Sequence, residues 1–251
     1  MLIGPTPEPR RPFGAYHFEA LRWYDHYLKG MDTGVWDGPP VQLYIPGEES
    51  WRGEHEWPLA RTEWTDLYLD GELLTPNPGE TRERSYTMTP NTSEAKRGEP
   101  KLVFRTEPME RAMEITGPSV LRLIAASDQE DTDWFAFVKD EAPDGTARLL
   151  TRGMLKASHR AVDPERSKSW QPWHPHDRID PVIPGDAVEY EIEVIPTSNL
   201  FDRGHRLRLE LSSSDPATDL IYSHEHQPRV TTNTVYMGAG ASRLRVPVIP
   251  R

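Results

Sequence analysis

Apolar positions along this chain recur at two spacings, and the spacings divide it. Between Tyr16 and Lys29, Phe18, Leu21, Tyr24 and Leu28 fall near one face of a 3.6-residue period, and Gly30 stands where a helix would be capped. After this helix the period is two. Val188, Tyr190, Ile192 and Val194 alternate with Glu189, Glu191 and Glu193, and Leu207, Leu209 and Leu211 alternate with Arg206, Arg208 and Glu210. If these two strands pair antiparallel, acidic and basic side chains meet on their outer face. Further strands are expected at Val41–Ile45, Thr65–Leu69, Leu102–Arg105, Val120–Ala126, Trp134–Lys139, Arg148–Leu155, Thr234–Met237 and Leu244–Val248. Pro143-Asp144-Gly145 marks a turn between two of them.

About ten short strands with frequent Gly and Pro turns predict a mostly β fold, a sandwich or jelly roll rather than a parallel sheet. Two polar stretches read as long loops: Thr75–Pro100, and Asp163–Gly185, which carries Trp170, Trp173, His174 and His176. Loops of this length are more often functional or interface-forming than idle.

A length of 251 residues suits one large domain with a small appendage. Only 36% of residues are apolar, yet eight Trp and nine Tyr supply more aromatic mass than disordered chains carry. The 25 prolines mark loops and strand ends, because each lacks an amide donor. A formal charge of −11 repels phosphate backbones, so no nucleic-acid partner is expected. The absence of cysteine removes disulfides, thiolate nucleophiles and Cys-ligated metals, and is compatible with a reducing cytoplasm. The Met1–Pro12 stretch has too short an apolar run for a signal peptide, and no run is long enough to span a membrane. A soluble cytoplasmic protein without a membrane partner is the expectation.

Candidate chemistry is sparse. No Gly-x-Ser-x-Gly nucleophile turn exists; Ser119 follows Gly117-Pro118, but Leu121 takes the second glycine position. The run Ser212-Ser213-Ser214-Asp215 reads as hydrogen-bonding filler at a strand end. His174-Pro175-His176-Asp177 and His224-Glu225-His226 each set two imidazoles beside a carboxylate, as a zinc or nickel site would use. Each pair alone supplies too few ligands, and loop histidines more simply bond backbone or pack on rings, so no metal is assigned. Asp128, Glu130, Asp131 and Asp133 lack the glycine pattern of a calcium loop and read as a solvated turn. A glycosidase pair of carboxylates has no sequence signature to point to it. No phosphate loop or dinucleotide fingerprint is present, and no cofactor is expected.

Seven stretches in order carry a resemblance. They are Leu2-Ile3-Gly4-Pro5, Leu21-Arg22-Trp23-Tyr24-Asp25-His26-Tyr27-Leu28-Lys29-Gly30, Asp131-Thr132-Asp133-Trp134 and Leu155-Lys156-Ala157-Ser158-His159-Arg160. Pro196-Thr197-Ser198-Asn199, Gly204-His205-Arg206-Leu207-Arg208-Leu209 and Val246-Pro247-Val248-Ile249-Pro250 complete the set. Together they resemble the carboxyl-terminal half of the X-Pro dipeptidyl-peptidase and cocaine esterase family of serine hydrolases. The resemblance implies a jelly-roll β-sandwich of galactose-binding-like architecture over residues 41–251. It also implies a short N-terminal helical segment, residues 1–40, similar to the end of an α/β-hydrolase domain. In the family the nucleophilic serine and triad aspartate lie upstream of the matching region. The family's histidine follows Gly-Pro-Trp-x-His, whereas here Gly4-Pro5 is followed by Thr6-Pro7-Glu8. Neither His17 nor His26 stands at that position, and His26 has a packing or surface role as its simplest account.

The resemblance therefore implies a hydrolase-family accessory domain with no catalytic residue of its own. An α/β-hydrolase partner, or self-association that hides an exposed apolar patch, is its expected consequence. Trp170, Trp173, His174 and His176 are the candidate binding or interface residues, though the same aromatics would equally cover the end of the sandwich. A carbohydrate- or peptide-binding module is the alternative. An unrecognised enzyme would require His174, His176, His224 and His226 to converge.

Overall fold

A computed structural model describes residues 2–3, 14–89, 102–214, 229–238 and 242–251. The fold is mostly β. The described residues form one α-helix, α1 (Gly14–Lys29), and fourteen strands in two sheets. The smaller sheet joins β1 (Leu2–Ile3), parallel, to β2 (Val41–Ile45), which pairs antiparallel with β3 (Ser50–Glu54).

The larger sheet comprises β4 (Glu63–Asp70), β5 (Leu73–Thr75), β6 (Arg82–Met88), β7 (Leu102–Arg105), β8 (Met113–Ser127), β9 (Asp133–Glu141), β10 (Ala147–Lys156), β11 (Val188–Phe201), β12 (Arg206–Ser212), β13 (Thr231–Met237) and β14 (Arg243–Ile249). Its organiser is β8. One edge of β8 pairs antiparallel with β11 from Met113 to Ala125, and the other carries first β14 and then β13. Where β14 gives way to β13, the Ser242 hydroxyl accepts the Ile124 amide at 2.9 Å and donates to the Tyr236 carbonyl at 2.8 Å. Pairing runs in a circuit through β8, β11, β10, β9, β12, β7, β5, β4 and β14 back to β8. Two of its links are single register pairs: Gly153 with Val194 between β10 and β11, and Leu73 with Arg105 between β5 and β7.

The alternating apolar residues point into one core, in which Trp134, Tyr190, Phe104, Phe201, Leu121, Leu123, Ile192 and Leu207 are fully buried. The Glu-faced and Arg-faced strands do not pair with each other. β11 bonds to β8 and β10, while β12 bonds to β9 and β7. Their apolar sides still meet in the same core, and their charges find other partners. Glu189 pairs with Arg122 of β8, and Arg208 with Glu141 of β9 at 2.8 Å. The stretch Thr75–Pro100 is likewise not a continuous loop. Residues 82–88 form β6 against β13, where Tyr86 and Met88 are buried on alternate positions, and residues 90–100 lie outside the described set.

A second, smaller core beneath β2 collects Val41, Leu43, Ile45, Leu59, Leu200 and Ile249. The seam beside it is ionic. The Glu114 carboxylate of β8 is fully buried and accepts from Arg52 Nη2 at 2.5 Å, Arg251 Nε at 2.9 Å and Thr116 Oγ1 at 2.8 Å.

Candidate functional site

The turn after β10 and the following loop bring together most of the residues the sequence singles out. Asp131 anchors the turn: its Oδ1 accepts the Ser158 amide at 2.9 Å and its Oδ2 the Ser158 hydroxyl at 2.8 Å. Lys156 sits between Asp131 at 3.4 Å and Asp133 at 3.3 Å. Asp128 is used elsewhere, with its Oδ1 accepting the Thr232 amide at 2.9 Å. The acidic residues are thus spent on backbone and lysine.

The loop is folded on itself rather than extended. Asp163 N donates to Trp173 O at 2.9 Å, and the Ser167 hydroxyl ties Trp173 N to Asp163 O. Its second half is tied to the turn after β10, where Asp180 N donates to Ser158 O at 2.8 Å, and to the β8–β9 connection, where Val182 N donates to Glu130 O at 2.9 Å. Arg160 caps this region by donating to the carbonyls of Ala157 and Asp180.

The four predicted residues separate by role. Trp170 stacks on Trp64 of β4 with centroids 6.3 Å apart and planes within 4°. It covers the sheet end. Trp173 is exposed, with the Arg166 guanidinium stacked 3.9 Å above its ring. His174 has both nitrogens on carbonyls, Nδ1 on Ala161 at 3.0 Å and Nε2 on Glu191 at 2.8 Å. Both nitrogens are aimed at carbonyl acceptors within the chain. His176 instead meets His159, a residue noted in the sequence only as part of a motif, Nδ1 to Nδ1 at 3.1 Å. Seventeen residues separate the two, and no periodicity links a turn to a loop. Only the histidine in Leu155–Arg160 hinted at it.

His159 and His176 border a cleft of about 340 Å³, with Asp133 and Lys156 on its polar side and Trp134 and Met154 on its apolar side. Burial and the neighbouring rings of His174 and His159 hold the His176 imidazole below its ordinary range. Among the described residues no three His, Asp or Glu side chains converge as a metal site would require. His224 and His226 lie outside the described residues, as do Gly4 to Glu8. Ser119 is buried within β8 opposite Val194, and Ser213 shares a buried hydrogen bond of 2.7 Å with Tyr86. Both serve the sheet.

The second feature is α1. The helix forms as its periodicity predicts, and Gly30 ends it with a φ of 66°, donating to His26 O at 3.1 Å. Yet its apolar face is in solvent: Phe18 is 72% exposed, Leu21 53% and Leu28 77%. One flank is partnered among the described residues, where Trp23 lies 5.8 Å and Tyr27 6.5 Å from Trp36. His26 Nδ1 donates to the Met31 carbonyl at 3.1 Å and the ring stands edge-on to Tyr27, a surface role. Helices of globular proteins bury such a stripe, and an exposed one marks a contact surface.

Comparison with known proteins places these features. The model of the X-Pro dipeptidyl-peptidase C-terminal non-catalytic domain matches residues 33–245. A putative serine esterase of Mycobacterium bovis is 28% identical over 98% of this chain and 43% of its own length. The cocaine esterase of a Rhodococcus species is 26% identical over 77% of this chain and 37% of its own. A CocE/NonD family hydrolase from Staphylococcus aureus superposes with a TM-score of 0.82 at 22% identity, covering 99% of this chain and 48% of that one. An aminopeptidase from a Thaumarchaeota archaeon gives 0.72 at 20% identity, over 94% and 45%. The chain spans less than half the length of each of these proteins.

Proposed function

We propose, for a chain that belongs to the family of X-Pro dipeptidyl-peptidase C-terminal non-catalytic domains, a role as the accessory half of a serine hydrolase. It acts by docking on an α/β-hydrolase domain that supplies the Ser-His-Asp machinery for peptide or ester cleavage. The observation that carries this reading is the exposed apolar face of α1, Phe18, Leu21, Tyr24 and Leu28. A helix periodic enough to build a core but without one among the described residues fits a second domain. The relatives support the choice of occupant, since each extends well beyond the matched region and two carry esterase names.

In this reading residues 1–40 are the end of the hydrolase layer and residues 41–251 a jelly-roll β-sandwich of galactose-binding-like architecture. The single-residue links at Gly153 and Leu73 support two facing sheets joined at corners over a continuous barrel wall. Trp173 and His176, exposed on the loop, form a second contact area on the same domain. No helix among the described residues is long and apolar enough to cross a membrane; a cytoplasmic site rests on the absence of cysteine.

Acyl transfer needs a nucleophile, a base and an oxyanion hole in mutual geometry. The test is hydrolysis of a p-nitrophenyl ester and an aminoacyl-prolyl chromogenic substrate by the pure chain, with and without a fluorophosphonate. Absence of turnover and of covalent label is expected, with complex formation when a separately expressed α/β-hydrolase domain of a relative is added. A labelled serine in this chain, or binding of a glycan in place of the catalytic domain, sinks the reading.

A further inference from the structure

We propose that His159 and His176 form an acid-sensitive latch that holds the Asp163–Gly185 loop to the turn after β10. The latch is a single contact between like groups, Nδ1 to Nδ1 at 3.1 Å. Such a bond needs one N–H and one lone pair, so it exists only while at least one ring is neutral. Protonating both rings places two donors and two positive charges face to face, and the contact becomes repulsive.

The surroundings are built so that this one contact switches while its neighbours stay. His174, whose ring centroid is 5.9 Å from that of His176, faces a carbonyl oxygen with each nitrogen, contacts that need N–H donors only and that added protons do not break. The main-chain bond from Asp180 to Ser158 and the Arg160 cap involve no group that titrates between about pH 5 and 8. The charges facing the pair are few. Lys156 and Asp133 line the same cleft and are paired with each other, Lys156 also reaching Asp131. On the loop side Asp177 follows His176, and Arg178 is paired with Asp180 at 2.8 Å.

His176 also has a φ of 53°, left-handed for a non-glycine residue. A backbone held there relaxes when its tether is lost. The sign follows. With the His176 imidazole held below its ordinary value of about 6.5, that ring stays neutral to a lower pH in the folded chain, so the latch is complete above that value and is lost on acidification once both rings carry protons. The latch stands on the loop's own geometry and does not depend on a docked hydrolase domain.

Hydrogen–deuterium exchange of the full chain near pH 7.5 and near pH 5, corrected for intrinsic exchange, tests it. Peptides covering 163–185 are expected to lose protection about tenfold at the lower pH while those of β8 and β11 hold. His176→Asn, neutral and tolerant of a left-handed backbone, is expected to abolish the pH difference. Equal protection at both pH values, or an undiminished loss in His176→Asn, overturns the proposal. Imidazole titration by NMR in the unmodified chain gives a check that needs no variant. Two coupled, separated steps for His159 and His176 support the latch, and two independent titrations with no mutual shift overturn it.

Discussion

At Glu114 a single carboxylate joins parts of the chain that are distant in sequence. It stands on β8, receives Arg52 from the small sheet and Arg251 from the last residue, and has no exposed side-chain surface. Burial by itself pushes this carboxyl up, but the bonds from Arg52, Thr116 and Arg251 outweigh it and hold the group below the usual carboxylate range. Its ionised form therefore contributes stability that is present above the unfolded value of about 4.3 and is lost as pH falls through the folded one. Glu54 and Glu141, held down by Arg61 and by Arg208 with Arg105, act in the same direction. Glu114→Gln removes the charge and leaves two guanidinium groups short of a partner. It is expected to cost about 3 kcal/mol near pH 7, as breaking a buried pair does. In urea titrations the gap to the unmodified chain should narrow toward about pH 3.5. A gap of equal size at both pH values would show that packing, not charge, is what Glu114 supplies.

The elements were largely legible before any coordinates. Val41–Ile45 and Leu102–Arg105 form strands with the expected bounds, because β-branched or leucine side chains at a period of two leave little else for the backbone to do. What stayed hidden has a physical reason in each case. β3 is Ser-Trp-Arg-Gly-Glu and β6 is Arg-Glu-Arg-Ser-Tyr-Thr-Met, polar strands whose backbone is fixed by a neighbour rather than by an apolar face. Pairing was hidden too, since alternation says which face is buried but not which strand lies alongside. Of the candidate site, Trp170, Trp173, His174 and His176 do gather on one folded loop, while His159 enters only through a contact across the turn. The link between β10 and β11 gives this scale its prediction. A Cβ on Gly153 would run into the Glu193 carbonyl and lie 3.1 Å from Ile192 Cγ2. Gly153→Val should cost about 2 kcal/mol by forcing the two strands apart at their recorded register pair. Chemical denaturation checks it; a variant as stable as the parent would mean that this corner carries no strain.

On the scale of the molecule, two surfaces differ in kind. Most of the chain alternates cleanly between a core and a charged exterior, and its net charge of −11 keeps such an exterior dispersed. The face of α1 is the exception, and the difference can be measured without knowing the partner. Leu21 and Leu28 are 53% and 77% exposed, so exchanging both for glutamate, a good helix former, removes little packing inside the chain. Leu21→Glu with Leu28→Glu should thus change unfolding free energy by no more than about 0.5 kcal/mol, as surface substitutions do. The same change should abolish binding of a hydrophobic dye to the helix and any concentration-dependent self-association seen by sedimentation. Burial of an apolar stripe contributes roughly 25 cal/mol per Å², and that gain is available only between molecules when the stripe has no partner within one. If the double variant instead unfolds at a markedly lower urea concentration, the stripe is part of this chain's own core, and docking through α1 has to be abandoned.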